Sequence, residues 1–253
     1  PGHSIMPNLL MYEVAKREKL DKPEKYLQAA FNQTQWVIDS MDWNDPTVTK
    51  GQRISEHKLV TGITHFQLNY PEKAPKRLAK KIDEWADVAV ALSDNEWDLR
   101  RFDLEENWTL PGYNEVGNII GFPACAISVA LVPGEGKVKD RLVELAYAHF
   151  DNFNGRNPAN AHCANHPELG FEGIDKGWPH GDSRRDVCAR LEHVRGSLSS
   201  LPGSEMYPFN PLGKPRHGEG WTSYNANWNV SLAYLNIWEG IAPKSLLKKI
   251  KKQ

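Results

Sequence analysis

Residues 116–131, VGNIIGFPACAISVAL, decide the fold class of this chain. Nearly every side chain in the stretch is apolar or small on all sides of a helical wheel, as in a helix that is buried all round. Pro123 stands inside the stretch, so it either kinks the helix or marks its first turn. We therefore expect a central helix that is surrounded by others.

Helical periodicity continues in pairs of helices along the chain. Further apolar or small-sided helices are predicted over residues 5–16, 58–69 and 226–238. Amphipathic helices, with apolar residues at i, i+3, i+4 and i+7, are predicted over residues 27–41, 78–92, 142–153 and 185–198. Trp36, Trp85 and Trp238 fall on helix faces and are predicted to pack against neighbouring helices. Strand signals are weak, so the predicted fold class is all-α.

The starts of the apolar helices repeat along the chain, near Ser4, His57, Glu115 and Tyr224. Their spacing is roughly 50 to 60 residues, except that the last gap is about twice as long because a long loop region, residues 155–220, intervenes. A repeat of this length with one inner and one outer helix is typical of an α/α toroid or solenoid of helical hairpins. We predict a single α/α-toroid domain over residues 1–253.

Polar and aromatic residues gather at the starts of the inner helices. They include His3, Glu56, His57, Tyr113, Asn114, Glu115, Glu219, Tyr224 and Asn225. Each could be an ordinary capping residue, since Asn caps helices and Glu in the first turn suits the helix dipole. Together, at one end of a ring, they predict a polar cleft on which helix N-termini converge and favour anionic groups.

Composition excludes several classes of protein. Lys and Arg number 31 against 32 Asp and Glu, so no basic footprint for a nucleic acid is present. No apolar run approaches the 18 or so residues that a membrane span needs. The HCANH stretch at residues 162–166 lacks the ligand spacing of a zinc site, so we expect neither a metal nor a cofactor. Cys125 is predicted to be a buried, apolar side chain, and Cys163 could pair with Cys188 in an exported chain.

Two short motifs in the C-terminal part of the chain resemble a known family. The turn Gly155-Arg156-Asn157-Pro158 follows an amphipathic helix, and Glu219 stands six residues before Asn225-Ala226. In this order the motifs resemble glycoside hydrolase family 9, an endoglucanase family of six-hairpin glycosidases. The resemblance implies a partial (α/α)6 barrel with long loops, and it implies that Glu219 is a general acid in the hydrolysis of a poly- or oligosaccharide.

Glycoside hydrolysis needs a protonated carboxylic acid and a second carboxylate. Glu115 and Glu56 are the candidates for the second carboxylate. Sugar rings stack on aromatic planes while their hydroxyls bond to polar side chains. The substrate-binding candidates are accordingly aromatic and polar: His57, Tyr113, Asn114, Arg156, His162, His166, Trp178, His180, Trp221, Tyr224 and Asn225.

We assign no segment of this chain to the paired Asp motif that supplies the base in family 9. The sequence also opens on Pro1 rather than Met, and we expect a processed or truncated product. We therefore expect a missing N-terminal segment or a second chain to complete the barrel. A carbohydrate is the expected partner, and a secreted or periplasmic location is expected.

Two other functions remain open on the same fold. A polysaccharide lyase or sugar epimerase would remove a proton with Tyr or His, for which His57, Tyr113, Tyr224 and His162 are candidates. A helical-repeat scaffold could bind a glycan or peptide without catalysis, because fold alone does not settle function.

Overall fold

The computed structural model describes residues 2–20, 22–45, 55–95, 97–101, 115–133, 137–154, 156 and 222–241. Those ranges are helical and contain no strand, which confirms the all-α class. Their helices are α1 (Ile5–Arg17), α2 (Glu24–Ser40), α3 (Ser55–Asn69), α4 (Leu78–Ala91), α5 (Glu115–Ala130), α6 (Lys137–Phe153) and α7 (Thr222–Trp238). A 3₁₀ turn, Pro71–Lys73, lies between α3 and α4.

These helices pack as two rows. In the first row α1 contacts α3, α3 contacts α5, and α5 contacts α7. In the second row α2 contacts α4, and α4 contacts α6. In the first row, α1, α3 and α5 each also pack against the helix that follows in the chain. This gives the hairpins α1–α2, α3–α4 and α5–α6. The predicted pairing of apolar and amphipathic helices is therefore present in the described part of the chain.

Helix α5 is the centre of this array. It contacts α3, α4, α6 and α7, and residues 120–130 are all buried. The continuous apolar pattern of this stretch is the physical reason, because a helix with no polar face is stable only when it is covered on every side. Pro123 lies well inside the helix rather than in its first turn.

The core fills the space between the two rows. Side chains with no exposed surface come from every hairpin, among them Leu9, Ile63, Phe66, Trp85, Phe122 and Leu142. On α2 the buried residues Ala30, Thr34 and Ile38 lie at the predicted i, i+4, i+8 positions. Amphipathic spacing thus decided which face of each second-row helix is buried.

Two of the three tryptophans that were predicted to pack do not. Trp85 is fully buried, but Trp36 is 39% exposed and Trp238 is 38% exposed. Trp36 stands two positions after the buried Thr34, which turns it about 200° away from the core face of α2. Trp238 is the last residue of α7, the helix at the end of the first row. Within the described part of the chain, the prediction is therefore wrong for these two side chains.

Candidate functional site

Some of the predicted site residues lie in the described part of the chain and others lie outside it. Glu115 is the first residue of α5, and Tyr224 and Asn225 lie in the first turn of α7. Glu56, His57 and Arg156 also lie in the described part. The remaining predicted residues, which are Tyr113, Asn114, His162, His166, Trp178, His180, Glu219 and Trp221, lie outside the described residues, as do Cys163 and Cys188.

Glu56 belongs to a buried ion pair at the start of α3. Its Oε1 accepts a hydrogen bond from Trp85 Nε1 at 2.8 Å and one from Arg100 Nη2 at 3.0 Å. The side chains of Glu56 and Arg100 are each only 1% exposed. Glu56 Oε2 is buried and has no hydrogen-bond partner among the described residues. In this structure the carboxylate therefore binds α3 to α4 and to the segment after α4, and its catalytic role stays a prediction.

His149 of α6 lies beside the same ion pair. Its Nδ1 is 2.6 Å from the carbonyl oxygen of Leu145, and its Nε2 accepts the backbone N–H of Arg100 at 3.2 Å. Since a carbonyl can only accept, Nδ1 carries the proton and the ring is neutral. Its ring stacks on Phe122 with centroids 4.2 Å apart. Burial, aided by the Arg100 charge, lowers the pKa of His149 to about 3.

His57 lies directly against the central helix α5, where Gly121 leaves room for its ring. A methyl group at Gly121 would lie 2.2 Å from His57 Nδ1, so only a residue without a Cβ lets the ring approach α5 so closely. The His57 carbonyl oxygen lies 3.8 Å from Cys125 Sγ. Cys125 is fully buried, as predicted, and burial raises the pKa of its thiol. His57 itself is only 4% exposed.

Sequence reasoning missed Arg100 and His149 as members of this cluster. Glu56 was visible as a charged residue in the first turn of a helix, but its partner Arg100 lies 44 positions away. His149 was visible only as one member of the amphipathic stripe of α6. No local pattern signals a contact over that separation, so only the packing of three helices identifies the cluster.

A second group of residues joins the end of α6 to the beginning of α7. The Trp228 ring stacks on Phe153 with centroids 4.4 Å apart and meets Phe150 edge-on at 5.6 Å. Arg156 follows directly after α6, where its backbone N–H donates to the Asp151 carbonyl oxygen. Its guanidinium lies 3.6 Å from the Asp151 carboxylate and is 65% exposed. The predicted substrate-binding residue Arg156 is thus exposed beside the C-terminal end of α6.

A pocket of about 410 Å³ opens elsewhere, between the end of α2 and helix α4. Trp43, Lys81, Glu84 and Asp87 line it, and none of the predicted site residues does. Within the described ranges, no three His, Cys, Asp or Glu side chains are grouped so that they could hold a metal ion. None of the helices seen there has both the length and the apolar character needed to cross a membrane.

Comparison with known proteins gives no assignment. The chain matches no family model, and no curated protein or solved structure matches it significantly.

Proposed function

We propose that this chain is a carbohydrate-active enzyme that hydrolyses glycosidic bonds, with Glu219 as the general acid. The proposal combines two short motifs of the family 9 type with the helical hairpins of the described region. It places the catalytic cleft where the first-row helices begin.

The contact between Trp228 and Phe153 carries this proposal. Phe153 stands two residues before the turn that begins at Gly155, and Trp228 stands three residues after Asn225. Because their rings stack at 4.4 Å, the chain just outside each motif converges on one place. In this proposal the two motifs, about 60 residues apart in sequence, meet beside this contact and form one site.

Contacts between neighbouring first-row helices also support a cleft at the starts of α3 and α5. Ile5, the first residue of α1, packs against Gly62 of α3. Further along, His57 in the first turn of α3 lies against Gly121 in the second turn of α5. Helices α3 and α5 therefore meet close to where they begin, whereas α1 begins beside the middle of α3. An α/α toroid, in which further hairpins close the ring, is the architecture we propose for this row.

We assign the second carboxylate to Glu115 rather than Glu56. The Glu56 side chain is 1% exposed and its Oε1 already accepts hydrogen bonds from Trp85 and Arg100, so this carboxylate is closed off from solvent and from a substrate. Glu115 opens α5, the helix that packs directly against α7. In an inverting mechanism two such carboxyl groups stand roughly 6.5–9.5 Å apart, which leaves room for the attacking water.

The proposed chemistry assigns a distinct task to each group. Protonated Glu219 would give its proton to the departing sugar oxygen, while ionised Glu115 would take a proton from the water that attacks the anomeric carbon. Trp178 and Trp221 would stack on the sugar rings, and Arg156 would bond to their hydroxyl groups. No metal or cofactor takes part in this scheme. A further segment or chain that completes the barrel, and a secreted or periplasmic location, belong to the same proposal.

The substitution Glu219→Gln tests the proposal in the full chain. It keeps the shape and hydrogen bonding of the side chain but removes the acidic proton. We expect the release of reducing ends from a panel of soluble polysaccharides to fall by roughly 10²- to 10⁴-fold, because that is the usual contribution of an acid catalyst. Binding of the glycan, measured by calorimetry, should remain.

A matched control is Glu144→Gln, which changes an exposed carboxylate on α6 and should leave the rate unchanged. An equal loss in both variants would contradict the role of Glu219. A product with an unsaturated sugar, seen by its ultraviolet absorbance, would assign a lyase instead. Glycan binding with no bond cleavage in the unmodified chain would assign a scaffold.

A further inference from the structure

Helix α7 is unusual among the described helices because it is both uncharged and largely uncovered. None of its 17 residues is Asp, Glu, Lys, Arg or His. Only Ser231 is buried among the residues of α7 whose exposure is described. A helix without charges is normally covered by neighbouring structure. The described neighbours of α7, which are α5 and the end of α6, cover one side of it.

The uncovered side of α7 carries an apolar stripe. Ala226, Val230, Ala233 and Ile237 follow one another at i, i+4, i+7 and i+11, so they share one face. The first three are exposed and Ile237 is half-buried, with Val230 43% exposed. At the end of the helix Trp238 and Ile241 add further exposed apolar surface. We call these six residues the α7 stripe.

Helix α7 ends at Trp238, and the chain leaves it through Gly240 and Ile241. Gly240 has a φ of +72°, a left-handed conformation that glycine adopts without strain. The N–H groups of Gly240 and Ile241 donate to the carbonyl oxygens of Ile237 and Asn236. This pattern is a Schellman-type helix end, which terminates α7. The sequence next continues with Ala242 and Pro243, which cannot extend α7.

The twelve residues that follow have the pattern of an amphipathic helix. Leu246, Leu247 and Ile250 fall within 100° of one another on a helical wheel, and the five Lys residues of 244–252 fall on the other side. As a helix, residues 242–253 would span about 18 Å, enough to run back along roughly two thirds of α7. The lysines would begin beside the C-terminal end of α7, whose free carbonyl groups favour positive charge.

The other first-row helices show how such a segment is used. Each of α1, α3 and α5 is followed by a helix that packs back against it. We propose that residues 242–253 dock in the same way on the α7 stripe, with Leu246, Leu247 and Ile250 against Val230, Ile237 and Trp238. The stripe is thus an intramolecular docking surface for the C-terminal segment of this chain. This inference holds whether or not the chain acts on carbohydrates.

Hydrogen exchange followed by mass spectrometry tests the docking. We compare the full chain with a chain that ends at Ile241 and follow the amides of residues 226–241. Loss of a packed neighbour makes a helix open more often, so we expect at least about tenfold faster exchange there in the shortened chain. Peptides from α2 should exchange at the same rate in both chains and report that the remainder is folded.

A pair of point variants in the full chain gives a second test. Leu247→Asp should accelerate exchange in residues 226–241, whereas Lys249→Asp, a change on the lysine side, should not. Unchanged exchange in both the shortened chain and Leu247→Asp would overturn the proposal. Exchange that accelerates on dilution of the full chain would also overturn it, because a second copy of the chain would then be the occupant of the stripe.

Discussion

Ser231 Oγ lies 2.5 Å from the backbone carbonyl oxygen of Ile120 and donates a hydrogen bond to it. The same hydroxyl accepts the backbone N–H of Ala124 at 3.3 Å. These two backbone groups flank Pro123, which has no N–H of its own and disturbs the hydrogen bonds of the surrounding turn. A side chain of α7 therefore satisfies backbone groups of α5 at the turn where the proline stands.

Replacing Ser231 by Ala should destabilise the protein by about 1–3 kcal/mol, because it leaves buried backbone groups without this partner. Chemical denaturation followed by far-ultraviolet circular dichroism measures the change. Asn229→Ala, an exposed position on the same helix, is the control and should stay within about 0.5 kcal/mol. Equal effects of the two substitutions would show that the hydroxyl contributes nothing specific.

Breaking the buried ion pair between Glu56 and Arg100 should lower the free energy of unfolding far more than breaking an ion pair at the surface. In Glu56→Gln the Arg100 charge stays buried without its counter-ion, and the expected loss is about 3–5 kcal/mol. Glu18→Gln is the matched control, because the Arg17–Glu18 pair is mostly exposed and should contribute about 0–1 kcal/mol. Urea denaturation measures both variants. Equal losses of unfolding free energy in the two would contradict a stabilising role for the buried ion pair.

Gly121→Ala should destabilise the protein, although alanine is normally the better helix former by about 1 kcal/mol. The new methyl group would stand 2.2 Å from His57 Nδ1, so the histidine or the helix must shift, at a cost of about 1–3 kcal/mol. The double variant Gly121→Ala/His57→Ala removes the ring that clashes. We expect Gly121→Ala to destabilise the protein less when His57 is already alanine. If the melting temperatures of the two single variants and the double variant are simply additive, the clash does not exist.

The pKa of His149 predicts a stability that falls on acidification. In the folded chain the pKa is about 3, below the roughly 6.5 of an unfolded histidine. Between these values the unfolded state binds one proton more, so the free energy of unfolding rises with pH. The contribution of His149 is complete above about pH 6.5 and is lost as the pH falls toward 3, at about 1.4 kcal/mol per pH unit.

Urea denaturation at a series of pH values between 7 and roughly 4 checks this slope. His149→Gln cannot titrate in this range. Its free energy of unfolding should therefore change less steeply with pH, by up to about 1.4 kcal/mol per pH unit. The prediction fails if the two proteins lose stability in parallel. Carboxylates elsewhere contribute equally to both curves, so the difference between the two isolates the histidine.

The sequence by itself determined which of the described segments are helical and which face of α2, α4 and α6 is buried. Apolar spacing predicted the seven described helices to within a few residues, because period 3.6 is a local property of the chain. It also predicted that residues 116–131 form the central helix, since an apolar surface on all sides has to be covered. The predicted site at the starts of α5 and α7 follows from the same local patterns and stays a prediction.

Only the tertiary structure decided which side chains meet across those helices. Glu56 pairs with Arg100 44 positions away, and Ser231 reaches Ile120 across 111 positions. Such contacts depend on how three or four helices pack together, and no periodicity within one helix encodes them. For the same reason Trp36 and Trp238 were predicted to pack and are exposed, because apolar character shows that a residue can be buried, whereas the neighbouring helices decide whether it is.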